Sequence, residues 1–94
     1  MDIKDIIWIA VFVDKLWEKH QVTTEEVEDV LTSAPKVRFI EDGDVKGENM
    51  YAAMGQTKSG RYLIVFFILK QNGNALIVSA RDMTRKERKL YEKK

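Results

Sequence analysis

The sequence predicts a small α+β fold: an antiparallel sheet of about four strands packed against two N-terminal helices, with a basic helix at the C-terminus. Three observations predict it. Apolar residues recur at helical spacing through the first third of the chain. The middle closes on an unbroken apolar run at residues 62–69. Turn-forming residues, above all Asn72-Gly73, divide that middle stretch at hairpin spacing. Consecutive hairpins make an antiparallel sheet, and the helices are expected to cover one face of it.

Taken in order, residues 4–8 are β-branched and aromatic and read as a short first strand. Ile9, Phe12, Val13, Leu16, Trp17 and His20 then form the apolar stripe of a helix, with Asp14, Lys15, Glu18 and Lys19 opposite. On this reading Trp8 and Trp17 are core residues. Gln21-Val22 breaks the helix. Thr23-Thr24-Glu25-Glu26 supplies a capping box for a second helix, whose stripe is Val27, Val30, Leu31 and Ala34. Pro35 stops it, because the residue before proline is pushed out of the helical region. Strands follow at residues 36–41, where basic and apolar residues alternate, and at 50–57, 61–70 and 75–80. The third of these four is apolar enough to be the central strand, buried on both faces or nearly so. Thr84-Arg85-Lys86-Glu87 opens the last helix with a second capping box, Met83 packing beside it as a staple.

The 94 residues fit one domain, residues 1–94. With 45% hydrophobic and 33% charged residues and a net charge of +1, the composition is that of a folded chain rather than a disordered one. The absence of cysteine excludes disulfides, thiolate metal sites and a cysteine nucleophile, and sets the expectation of a reducing cytoplasm. Asp2, Lys4 and Asp5 interrupt the N-terminus, and the apolar run at 6–13 is too short for a signal peptide or a membrane span. The near-zero net charge hides an asymmetry. Arg81, Arg85, Lys86, Arg88, Lys89, Lys93 and Lys94 crowd the C-terminal end, whereas Glu25, Glu26, Glu28 and Asp29 gather in the second helix. A basic tail suits a phosphate backbone or an acidic partner, and equally a solvated final helix.

A set of short motifs recurs in order along nearly the whole chain: Lys19-His20, Val22, Glu25-Glu26, Gly47-Glu48, Gly60-Arg61, Ile77-x-Ser79-Ala80-Arg81 and Thr84-x-x-Glu87-Arg88-x-x-Tyr91. In order and spacing they resemble the BrnT-like toxins of type II toxin–antitoxin systems. The resemblance implies a fold related to the RelE/ParE toxins, an endoribonuclease that stops translation, and an antitoxin protein that neutralises it. The chain departs from the pattern at Asn49-Met50, where family members often carry an arginine.

Cleavage of RNA without a metal needs a base for the 2′-hydroxyl, a cation for the charge growing on phosphorus-bound oxygens, and an acid for the leaving 5′-oxygen. His20, the one histidine, suits either proton-transfer role, although it also sits where a half-buried structural histidine is commonplace. Arg61 begins one strand and Arg81 ends the next, so hairpin pairing would place them side by side; the resemblance favours both guanidinium groups converging on one phosphate, the alternative being that each caps a strand end and meets water. His20, Arg61 and Arg81 are therefore the expected catalytic residues. Lys19, Glu48, Arg88 and Tyr91 are the expected substrate-binding residues, with Arg88 and Tyr91 on one helix face. Tyr91 has a second reading as a core residue. No metal or other cofactor is expected; one histidine and no cysteine leave only carboxylates. The expected partners are RNA and a cognate antitoxin. The competing expectation is a non-catalytic module of the same fold that binds a protein or nucleic acid.

Overall fold

A computed structural model describes residues 3–93; Asp2 and Lys94, used above in reading the two ends, lie outside the described residues. The elements are β1 (Ile6–Ile7), α1 (Ala10–His20), α2 (Thr24–Thr32), β2 (Lys36–Glu41), β3 (Met50–Gln56), β4 (Tyr62–Leu69), β5 (Ala75–Asp82) and α3 (Arg85–Glu92). Five strands form one sheet in the order β1-β5-β4-β3-β2, with β4 central as expected. The sheet is mixed rather than wholly antiparallel. β1 is only two residues long and runs parallel to β5, because the chain lies alongside β5 only at Ala75 and Leu76 before α1 turns it away. Among the described residues no helix is long and apolar enough to cross a membrane.

α1 ends where Gln21 takes a left-handed conformation (φ 52°), which turns the Val22 amide back to the Leu16 carbonyl at 3.1 Å. Both capping boxes form. Thr23 accepts from the Glu26 amide and Thr84 from the Glu87 amide, while each glutamate reaches back to the amide of its threonine. Ala34 falls outside α2 at φ 56° and is exposed. Pro35 denies its predecessor the helical region, so Ala34 leaves the apolar stripe assigned to it.

Strand alternation sends successive side chains to opposite faces. Leu63, Val65 and Phe67 of β4 join Ala53, Ile77 and Ala80 beneath α1 and α2, against Leu16, Val22, Val27 and Val30. Each large side chain buried there contributes about 1.5–3 kcal/mol. Trp8 packs against this core, but Trp17 is 58% exposed. Leu16 takes the inward direction, and the next residue along α1 is rotated away by ~100°. The other face of the sheet buries a smaller cluster, Ala52, Met54 and Ile64, capped by Phe66, Met83 and Tyr91. The helices therefore do not share one face. α3 crosses to the outer one and covers only one end of it, at Tyr62, which leaves Phe66 and Ile68 half-buried rather than enclosed.

α2 sits directly on β3 at Gly55. A Cβ there would lie 3.0 Å from Val30 Cγ1 and 3.2 Å from Ser33 Oγ. Gly55→Ala should push α2 outward and cost about 1–3 kcal/mol, the usual penalty of overpacking. In a chain of this size that is a melting-point loss of roughly 5–15 °C, readable by circular dichroism.

Candidate functional site

Register decides which cations share a surface. Lys36 and Arg38 of β2 pair with Met54 and Ala52, and Arg81 of β5 pairs with Ile64, so all three belong to the outer face. α3 adds Arg88 and Tyr91 to it. Cations and aromatic rings are interleaved across this surface. The Arg88 guanidinium lies 3.9 Å from the centre of the Tyr62 ring, Arg81 lies 5.5 Å from Phe66, and Lys36 Nζ lies 5.6 Å from Tyr91. Tyr62 and Tyr91 meet edge to face at 6.0 Å. Arg88 and Tyr91 thus share a helix face as expected, and Tyr91 is half-buried against the outer cluster while its ring edge remains part of the surface.

Arg81 is held by Glu87 through a two-pronged ion pair, at 2.7 and 2.9 Å. Arg81 first, and the Thr84 amide with it, draws the Glu87 carboxyl down from 4.5 to about 2. A depressed carboxyl stabilises the fold above its ordinary pKa and loses that contribution as pH falls towards the folded value. The docking of α3 should therefore weaken between about pH 4.5 and 2. Tyr62 and Tyr91 fluorescence is the readout, with Glu87→Gln expected to flatten the change.

Arg61 behaves differently from the expectation. Its Nε and Nη2 donate to Asp82 at 2.7 and 3.1 Å, Nη2 also to the His20 carbonyl at 2.7 Å, and Nη1 to the Gln21 carbonyl at 2.7 Å and the Glu26 carboxylate at 3.3 Å. A guanidinium has five N–H donors, and all five are engaged within the chain. Arg61 binds the end of α1, the cap of α2 and the end of β5 together. It also holds the Asp82 carboxyl below its usual range, with a smaller contribution from nearby His20. The two arginines do not converge on one phosphate. Arg61 engages Asp82, which pairs with Leu63 on the helix side, whereas Arg81 is one residue earlier in β5 and points to the other face.

His20 and Lys19 lie on the helix side, beside the edge of β5 that β1 leaves open. With Lys15, Val78 and Ser79 they line a groove of about 230 Å³. Val78 is an extra residue in β5, since Phe66 pairs with Ser79 and Phe67 with Ile77, and such a bulge bends the strand edge. Glu48 is at the far end of the sheet. Its carboxylate takes the Lys70 ammonium at 2.7 Å and the Gln71 amide at 3.2 Å, so it is near neither arginine. The predicted residues thus divide into three places: Arg81, Arg88 and Tyr91 on the outer face, His20, Lys19 and Arg61 on the helix side, and Glu48 apart. Lys36, Arg38, Tyr62 and Phe66, which the sequence reading does not single out, share the outer face with Arg81 and Arg88. The basic–apolar alternation at residues 36–41 was the available signal for the first two. The unbroken apolar run gave none for the rings.

Chemically, the outer face presents cations and aromatic rings side by side on a small α+β scaffold. The sequence matches, over residues 8–87, the family described as the ribonuclease toxin BrnT of type II toxin–antitoxin systems. The chain belongs to the BrnT family of type II system ribonuclease toxins. Its fold is similar to the crystal structure of the ribonuclease toxin BrnT from Brucella abortus, with a TM-score of 0.62 at 19% identity, covering 86% of this chain and 97% of that one. No curated protein sequence matches the chain significantly.

Proposed function

We propose that this chain is a toxin that cuts RNA without a metal ion in the cytoplasm and is held in check by an antitoxin protein. The observation that carries the reading is the outer face, where Arg81, Arg88 and Lys36 each sit over an aromatic ring. Single-stranded RNA is held in this way, with phosphates on cations and unstacked bases on rings. In this reading Arg81 and Arg88 turn from the rings they cover to steady the phosphate under attack, which frees Tyr62, Phe66 and Tyr91 to stack bases, and Lys36 and Arg38 extend the path towards β2. The Arg81–Glu87 pair opens or is bridged when phosphate arrives, because guanidinium offers donors to both.

His20 is the proton-transfer group of this reading; it lies on the helix side of the sheet, so it reaches a phosphate held by Arg81 only round the bulged edge of β5, where Lys19 holds a neighbouring phosphate. Arg61 acts as a positioning residue: it fixes the carbonyls of His20 and Gln21 and hence the place of the imidazole. Glu48 orients Lys70 rather than the scissile phosphate. Among the described residues no three His, Asp or Glu side chains gather to hold a metal ion.

The test is cleavage of purified RNA by the purified chain with and without a chelator. Cleavage that persists in the chelator is the expected result. Intact RNA beside a folded protein, with and without ribosomes, would leave the non-catalytic binding module as the reading.

A further inference from the structure

The sheet is open at β2. It is the last strand in the order, and among the described residues no strand pairs with its outer side. Edge strands present unpaired N–H and C=O groups, and proteins commonly blunt them with charge, bulges or proline. β2 carries Lys36, Arg38 and Glu41, an irregularity at Ile40 and Pro35 just before it, yet large apolar side chains remain exposed along the edge. Phe39 is 55% exposed and Ile40 42%, and Val45 in the following loop is 53% exposed. Phe39 meets Tyr51 edge to face at 6.0 Å, and Tyr51 stacks on buried Phe67 at 5.8 Å, so an aromatic row runs from the open edge into the core. Lys36 and Arg38 alternate with these residues on the outer face.

We propose that the antitoxin docks on this edge, adding an extended segment as a further strand beside β2. Main-chain hydrogen bonds would supply the common part of the affinity, and alternate side chains the specificity. The fitting segment carries acidic residues towards Lys36 and Arg38 and apolar residues towards Val37 and Phe39, since cross-strand neighbours on each face must match. A second copy of this chain fits poorly. Antiparallel pairing of two β2 strands would set lysine and arginine of one copy against those of the other on the same face. The inference rests on the toxin reading and adds a means of control. Acidic side chains beside Lys36 and Arg38 would lower the positive potential at one end of the RNA face without covering Arg81.

The experiment uses the full chain with the protein encoded by the adjacent reading frame. Amide hydrogen exchange of residues 36–41 is measured free and in complex, and affinity is measured for wild type, Phe39→Glu and the charge reversal Lys36→Glu/Arg38→Glu. The expected result is slowed exchange at β2 in the complex and affinity weakened about tenfold or more by Phe39→Glu. RNA cleavage by free Phe39→Glu should be unchanged. The charge reversal should weaken binding and reduce its salt dependence. If Phe39→Glu melts early, Ile40→Lys carries the same expectation. Fast exchange at β2 in a complex that relieves growth arrest would overturn the edge proposal alone. A neighbour that neither binds nor relieves arrest would remove the toxin–antitoxin reading as well. Protection appearing in the free chain as its concentration rises would assign the edge to a second copy and overturn the proposal.

Discussion

Arg61→Ala is expected to cost about 2–4 kcal/mol of stability, more than most other surface-accessible substitutions in the chain. The side chain is 25% exposed, yet its donors satisfy two carboxylates and two backbone carbonyls from three elements. Removing it leaves Asp82 and Glu26 without their cation and frees the left-handed turn at Gln21, a conformation that a non-glycine residue holds only under constraint. The melting point should fall by roughly 10–25 °C for a chain of this length. Arg61→Lys should recover less than half of the loss, because a single ammonium cannot span Asp82, Glu26 and two carbonyls in one plane. A variant that melts like wild type while losing cleavage would show that Arg61 acts on substrate and not on the scaffold.

Arg81→Ala is expected to lower RNA cleavage by about 10²–10³-fold, the usual effect of removing one preorganised donor to a developing oxyanion. The substitution also breaks the ion pair that docks α3, so lost cleavage alone would be ambiguous. Glu87→Gln separates the two roles. It keeps a side chain able to close the capping box and leaves Arg81 in place, but removes the carboxylate charge. Stability should fall slightly in both variants, and cleavage should collapse only in Arg81→Ala. Equal losses of cleavage in both would mean that Arg81 acts through the position of α3, and the phosphate-binding assignment would fail.

The helices and strands were legible because each is written locally. The capping boxes at Thr23 and Thr84, the proline at residue 35 and the Asn72-Gly73 turn are decided within a few residues, by backbone conformation and hydrogen bonds that need no distant partner. The apolar run of β4 marked the central strand for the same reason. The ordered motifs, from Lys19-His20 to Tyr91, point to the BrnT family without any geometry.

The candidate site was only partly legible. Arg81, Arg88 and Tyr91 were recognised and do lie on one surface. Arg61 was assigned beside Arg81 on the strength of hairpin pairing, which correctly places their backbones near one another but does not say which face each side chain takes. A shift of one residue in a strand reverses that face. The pairing of Leu63 with Asp82 and Ile64 with Arg81 decided it, together with the bulge at Val78.

The sequence by itself determined the element order, the two caps, the central strand, the family and the side-chain chemistry available for RNA. Only the tertiary structure decided that β1 joins the sheet in parallel, that Trp17 faces outwards, and that α3 crosses to the face opposite α1 and α2. It also decided that every donor of Arg61 is consumed by carbonyls and carboxylates of the chain itself. The physical reason is common to all of these. Local propensity depends on neighbours along the chain, whereas sheet register and the partners of a long side chain depend on groups that folding alone brings together. For Arg61 those groups lie 21 to 41 positions away.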